Sequence, residues 1–319
     1  MSLKLHRSVA LLLALSFLAS GCGPEQDNNP GQNNPVEPKT TTREFTVATF
    51  NVQRLFDTTC NSGACGRNDF EEVNTPAKME AEIARVRNAV RVLDADVIVF
   101  QEIETQALLE EVMQPFRDTY PTLVYGNTGT PRLDIGIVTK GQLLKVEEYK
   151  DTPLTTKSGT RTSFAREFLE VHSDFDGFRV VAFGAHFVSK RSAGMDDRRE
   201  AEGTQAAQLM SYTGKLYNDS LVVLGGDLND TPDSDTMAPF YQFGVKSASA
   251  GLGTDTFYTS SFQGERQAID YVLYWGREGV ELLPESVRAF HDEGRAGYEG
   301  SDHAAVRASF RVTVPVTDG

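Results

Sequence analysis

Long apolar runs in this chain stop on an acid, an amide or an imidazole, and this constrains the fold more than any other feature of the sequence. The run 45–50 ends on Asn51, 97–100 ends on Gln101 and Glu102, and 221–226 ends on Asp227 with Asn229 just beyond. The run 178–188 carries His186 near its end, Asp270 follows Ile269 at the start of the run to Trp275, and Asp302 and His303 precede the run 304–312. Segments of this length and composition read as buried strands. A carboxylate ending a hydrophobic strand is costly unless it is paired or holds a metal. One such residue reads as an exposed cap or a loop turn. Eight, namely Asn51, Glu102, His186, Asp227, Asn229, Asp270, Asp302 and His303, point instead to strand ends gathered at one edge. Their chemistry, mostly hard oxygen, favours Mg²⁺, Mn²⁺ or Ca²⁺ over Zn²⁺.

Helix signals lie between these strands. Thr75 and Pro76 open a helix whose apolar face is Met79, Ile83, Val86, Val90 and Leu93. A second helix is predicted over 196–217, with Ala206, Leu209, Met210 and Leu216 facing inward. Asp176 and Gly177 form a hairpin turn between strands over 166–172 and 178–188. Many strands with few tight βαβ repeats predict two sheets covered by helices. With 39% hydrophobic residues and 19 Phe, a disordered or fibrous chain is excluded. A net charge of −14 argues against a protein that adheres to nucleic acid through bulk positive charge.

The N-terminus sets the expected compartment. Lys4 and Arg7 form a positive region, and the apolar run 9–18 is too short to span a bilayer as a helix. Residues 18–22 resemble the lipobox of bacterial lipoproteins, which implies a signal peptide over 1–21 and acylation of Cys22. Plain secretion after Ala19, Ser20 and Gly21 is the alternative. Residues 22–42, almost devoid of apolar side chains, read as a flexible tether. The expected location is the cell envelope, with the protein lipid-anchored to the outer membrane or cell surface. Residues 43–315 read as one domain, expected to be monomeric. Within it, 57–74 reads as a loop elaboration beside the site, and in an oxidising compartment Cys60 and Cys65 are expected to form a disulfide. Two unpaired thiols are the alternative, and a zinc site lacks a second pair of soft ligands.

Six short segments, around Asn51, Glu102, His186, Asp227 with Asn229, Asp270, and Asp302 with His303, occur in the order of the endonuclease/exonuclease/phosphatase superfamily, which the chain resembles from 45 to 310. The resemblance implies a four-layer αββα sandwich with two central mixed β-sheets, hydrolysing phosphoesters with a divalent cation. It implies Glu102 as principal metal ligand, supported by Asn51 and Asp302. It also implies Asp227 as the residue that orients or deprotonates water, Asn229 as a phosphate or metal contact, and His186 as a phosphate or leaving-group contact. His303 pairs with Asp270, which orients the ring and favours its charged form; the base is either Asp227 or His303. Some nucleases of the family carry an acid two places after the first-strand Asn, where this chain has Gln53, so a metal mode through that carboxylate is absent. Lys190 and Arg191, followed by Arg198 and Arg199, form a basic cluster that either holds flanking phosphates or is a solvated loop. The resemblance around Asn51 and His186 leans toward extracellular nuclease-like members. A phosphatase or phosphodiesterase of small-molecule or lipid-headgroup phosphates is the alternative, and a non-catalytic surface-binding lipoprotein is the alternative of another class.

Overall fold

A computed structural model describes residues 39–315, apart from 127, 129–132 and 192. The expected signal peptide, Cys22 and most of the expected tether lie outside the described residues. The described chain begins with β1 (Thr40–Leu55), α1 (Pro76–Leu93), β2 (Val97–Ile103), α2 (Gln106–Met113), β3 (Thr122–Tyr125) and β4 (Asp134–Thr139). The middle supplies β5 (Gln142–Glu148), the small ribbon β6 (Leu154–Thr155) and β7 (Arg161–Thr162), β8 (Leu169–Phe175), β9 (Phe178–His186), α3 (Asp196–Leu216) and β10 (Leu221–Asp227). The last third holds α4 (Ala238–Gln242), β11 (Val245–Ser247), a second ribbon of β12 (Ser260–Phe262) and β13 (Glu265–Gln267), then β14 (Asp270–Trp275), β15 (Val280–Phe290) and β16 (Ala305–Pro315).

Two mixed six-stranded sheets form the centre, in the orders β15-β16-β1-β2-β4-β3 and β11-β14-β10-β9-β8-β5. The period of two along each strand builds the layers. In the first sheet Phe45, Val47, Val97 and Val99 face the second sheet, while Ala48, Phe50, Ile98 and Phe100 face α1 and α2. In the second sheet Val180, Ala182, Val223 and Val272 face inward, while Val181, Phe183, Leu224 and Leu273 pack under Ala206, Ala207 and Met210 of α3. Helix, sheet, sheet, helix is the sandwich that the sequence pattern predicts. Helix α1 starts where expected, because the Thr75 side chain accepts from the Lys78 amide and Pro76 needs no donor there.

The strand expected over 166–172 runs instead over Leu169–Phe175, up to the Asp176–Gly177 turn, and two further details differ from the sequence reading. β1 begins at Thr40, because Thr40, Thr41 and Thr42 pair with Pro315, Val314 and Thr313 of β16, so the ladder recruits three residues from the polar stretch. Leu216 is 56% exposed and does not face the core: it sits in the last turn of α3, beyond the face that carries Met210. The sheets pack tightly beside the strand ends. A Cβ on Gly184 would lie 2.7 Å from Ile135, and one on Gly225 would lie 2.8 Å from Val99. Each glycine precedes a site residue, His186 or Asp227, by two positions on its own strand.

Candidate active site

β1 and β2 run parallel, as do β9 and β10, so Asn51, Glu102, His186 and Asp227 arrive at corresponding strand ends. β14 runs antiparallel to β10 and pairs Asp270 with Asp227. The turn before β16 then brings Asp302 and His303 to the same edge. All eight residues that the sequence singled out converge there. Glu102, His186, Asp227, Asn229, Asp302 and His303 line one cleft, and Asn51 and Asp270 support it from behind.

The β1–β2 register shifts between Asn51 and Leu55, and the backbone bulges at the point where Glu102 must leave the pleat. Gln53, Arg54 and Glu102 all take left-handed conformations (φ 57°, 53° and 66°), which for non-glycine residues costs on the order of 1 kcal/mol each. This geometry lets Glu102 Oε2 accept from the Arg54 amide at 2.8 Å. Asn51 Nδ2 donates to Asp227 Oδ2 at 3.1 Å and to Glu102 Oε1 at 3.3 Å, tying the two sheets together. Asn51 Oδ1 accepts from the Gln53 amide, so Asn51 reaches both acids through its nitrogen.

Asp227 is the hub. Its Oδ1 accepts from the Asn229 amide at 2.9 Å, and its Oδ2 lies 3.6 Å from His186 Nε2 and 3.8 Å from His303 Nε2. Asp270 Oδ2 lies 2.9 Å from His303 Nδ1 and so turns Nε2 into the cleft. Ser301 fixes this turn, donating to the Asn51 carbonyl at 2.8 Å and accepting from the His303 amide. Gln53 Oε1 accepts from the Asp302 amide, so the residue standing where some relatives carry an acid anchors the Asp302 loop.

The basic cluster divides. Lys190 and Arg191 line the cleft, with Lys190 Nζ 2.7 Å from Asp230 Oδ1 and Arg191 Nη2 4.0 Å from Asp302 Oδ2. Arg199 is buried against Asp230, and Arg198 donates to the Ser163 carbonyl. Sequence reasoning missed Arg166, which lines the cleft and donates to the Phe187 carbonyl, and Phe262 and Gln267 of the β12–β13 ribbon. Arg166 stands just before β8, and the only signal for it was a charge opening an apolar run. Cys60 and Cys65 are joined in a disulfide.

A model of the Endonuclease/Exonuclease/phosphatase family matches residues 48–303. The chain belongs to this family. It is therefore grouped with phosphoester hydrolases, and the matched span runs from β1 to His303. No curated protein matches it in sequence. Solved structures share the fold. TDP2 from D. rerio, complexed with a single-strand DNA product, is 16% identical, with 84% of this chain and 98% of that chain covered at a TM-score of 0.56. The human Nocturnin catalytic domain with bound sulfate is 14% identical over 86% and 97% at 0.58. An endonuclease/exonuclease/phosphatase from Beutenbergia cavernae is 15% identical over 85% and 72% at 0.59.

Family members use a divalent cation, and the donor chemistry here fits one. Glu102 and Asp302 keep partly exposed carboxylates at the cleft, and the set is oxygen with imidazole and no thiolate. A buried His186 Nδ1 has no hydrogen-bond partner, and Nε2 lies 3.9 Å from Glu102 Oε1, so that ring is held by packing beside the acid. Asp227, Asp270 and His303 also cluster within 4.8 Å, but Asp270 is already engaged by His303 Nδ1. Near the disulfide, Glu71 approaches both sulfurs, yet these are bonded to each other and form no thiolate site.

The two imidazoles are driven apart. Burial disfavours the charged ring in both. In His186 it prevails, and the positive charges of Arg166 and His303 push the same way, so the pKa falls well below the usual range. In His303 burial is outweighed by Asp270 and Asp227, and the pKa rises to about 10. Asp227 is raised by its own burial and then by the Asp270 charge. The cleft thus pairs a neutral imidazole with a charged one.

Proposed function

We propose that this family member is a divalent-cation-dependent phosphodiesterase acting on nucleic acid, held at the cell envelope by acyl chains on Cys22. One observation carries the catalytic part: both histidine Nε2 atoms, Asp227 and Glu102 face one cleft with a carboxylate behind His303. Glu102 and Asp302 would hold the cation, with Asn51 fixing the Glu102 carboxylate. A bound cation supplies charge neutralisation at the non-bridging phosphate oxygens.

The remaining roles belong to the protein's own groups. Asp227, bonded to Asn51 and the Asn229 amide, is the base that orients water and takes its proton. His303, held by Asp270, donates from Nε2 to a phosphate oxygen, and His186 does so from the neighbouring strand end. Asn229 is held beside Asp227 by its bond to the Phe187 carbonyl. Arg166, Lys190 and Arg191 supply positive charge for flanking phosphates. The single-strand DNA product bound by D. rerio TDP2 on the same fold favours a polynucleotide over a small phosphate.

The test is a rate panel over single- and double-stranded DNA, RNA, bis-p-nitrophenyl phosphate and p-nitrophenyl phosphate, with Mg²⁺, Mn²⁺ or Ca²⁺. Diesters should be cleaved in preference to the monoester, EDTA should abolish the rate and Mg²⁺ should restore it. Full activity in excess EDTA, or hydrolysis confined to monoesters, sinks the proposal. Cys22→Ser should move the protein from the membrane to the soluble fraction; unchanged fractionation removes the anchor.

A further inference from the structure

We infer that Phe70, five residues beyond the loop that the Cys60–Cys65 disulfide closes, is a platform on which an unpaired nucleobase stacks beside the cleaved phosphate. The inference rests on the nucleic-acid reading above and adds to it a strand preference and a residue that enforces it.

Phe70 is 58% exposed in a chain that buries most of its phenylalanines almost completely. The ring is nevertheless held in place. It meets the buried Phe56 edge-on, with centroids 6.1 Å apart at 82°. The Arg54 guanidinium lies 5.3 Å from its centroid and donates to the Phe70 carbonyl. The loop is preorganised as well. The disulfide closes 60–65, and the Glu71 carboxylate accepts from the Asn61 and Ser62 amides. A rigid exposed aromatic ring loses little entropy when it binds a flat partner.

What Phe70 borders decides what it can hold. It flanks a groove of about 260 Å³ with Leu133, Arg166, Val188, Ser189 and Arg198. Arg166 and Ser189 also line the catalytic cleft, so groove and cleft adjoin. A strand whose phosphate lies in the cleft would therefore pass Arg166 and reach Phe70 with its neighbouring base. The Arg54 guanidinium lies against this ring, and Arg166 and Arg198 line the groove it borders, in a chain of net charge −14. That combination of charge for the backbone and a π-face for the base suits single-stranded nucleic acid. Bases inside a duplex are already stacked on their neighbours and offer no such face.

The experiment measures kcat/KM of wild type, Phe70→Ala and Phe70→Trp with Mg²⁺ on three substrates. These are a single-stranded oligonucleotide, a strand of the same length made entirely of abasic sites, and bis-p-nitrophenyl phosphate. The ratio of oligonucleotide to bis-p-nitrophenyl phosphate activity should fall roughly tenfold in Phe70→Ala, mainly through KM, and recover in Phe70→Trp. Replacing the oligonucleotide by the abasic strand should lower the wild-type ratio similarly and erase the difference between wild type and Phe70→Ala. Equal losses on all three substrates, or the same penalty on the abasic strand, overturn the inference and make Phe70 a packing residue. Cleavage of the oligonucleotide with no Phe70→Ala effect overturns this inference alone. Hydrolysis of bis-p-nitrophenyl phosphate with every oligonucleotide left intact overturns the nucleic-acid reading and this inference together.

Discussion

Among the described residues two buried histidine–carboxylate pairs lie within hydrogen-bond distance, and only one of them faces the cleft. His172 Nε2 lies 2.6 Å from Glu170 Oε1 on the outer face of β8, and its Nδ1 is 3.2 Å from the Arg179 guanidinium. Tyr149 donates to the other Glu170 oxygen at 2.6 Å, Thr213 of α3 donates to the first, and Tyr217 packs edge-on against the ring. Both ring nitrogens and both oxygens are thus engaged. His303 has the same kind of carboxylate contact through Nδ1, but the nearest acceptors to its Nε2, Asp227 and Asp302, stand at 3.8 Å, beyond hydrogen-bond reach. A buried imidazole–carboxylate pair is thus structural or catalytic according to what is left unengaged and what it faces, and the pair itself does not decide.

Exchanging the two pairs' expected phenotypes would break that comparison. The largest expected effect is in the cleft. His303→Ala should lower kcat about 10²- to 10⁴-fold, measured by steady-state kinetics, and should also lower the thermal midpoint in calorimetry, because buried Asp270 loses the ring that both its oxygens contact. Asp270→Asn should lose part of the same rate, because the ring loses the carboxylate that turns Nε2 into the cleft and favours its charged form. The rate should be spared beneath α3: His172→Ala should retain the catalytic rate and lose about 3 kcal/mol in a denaturant titration, since Glu170 and Arg179 lose their shared partner. A His172→Ala enzyme that is stable and inactive would contradict this.

The disulfide gives the next effect. Reduced protein, or Cys60→Ser with Cys65→Ser, should lose about 2 kcal/mol because the closed loop is short. Mass spectrometry should find neither thiol alkylatable before reduction. The smallest effect comes from Glu167, a buried carboxylate that has backbone amides for partners and no imidazole. Burial raises its pKa to about 7, with Asp134 adding to the rise and the Tyr149 and Lys150 amides opposing it. The folded state therefore keeps a proton that the unfolded chain releases near the ordinary value of 4.5. Stability from this group is highest below 4.5, falls as pH rises toward 7 and is flat above. After allowance for solvent screening, the loss is about 1 kcal/mol. Glu167→Gln should flatten that part of the stability–pH curve, and an unchanged slope would assign it to other groups.

Much of the site was legible because its residues interrupt strong apolar runs. Glu102 after Val97, Ile98, Val99 and Phe100 is conspicuous, as is Asp227 after two glycines, of which Gly225 admits Val99 of the other sheet and Gly226 lies against Ala185 of β9. The layers followed from period two in β1, β2, β9 and β10. What was not legible lies where no periodicity operates. Exposed β5 and β15 bury little, so their sequences carry little alternation. Arg166 and Phe262 reach the cleft, and Phe70 the groove beside it, only through turns whose destinations are set by tertiary packing. Leu216 was misread because an apolar residue at helical spacing near a helix end can fall outside the face the sheet covers. Gln53 was read as a loss, while the structure shows it anchoring the Asp302 turn.

The order of strands in the first sheet has a temporal consequence. β16 lies between β15 and β1, and it pairs with β1 along Thr40–Thr49. Asp302 and His303 are delivered by the turn that enters β16, while Glu102 and Asn51 belong to strands made some two hundred residues earlier. A growing chain can therefore complete the second sheet, with Asp227 and Asp270 in register, and still lack Asp302 and His303, on which the proposed chemistry depends. On that proposal competence waits for β16, which lies between β15 and β1. Onset of hydrolysis during synthesis or refolding would report β16 taking that place, and a chain stopped before β16 would be silent however well its other strands had formed.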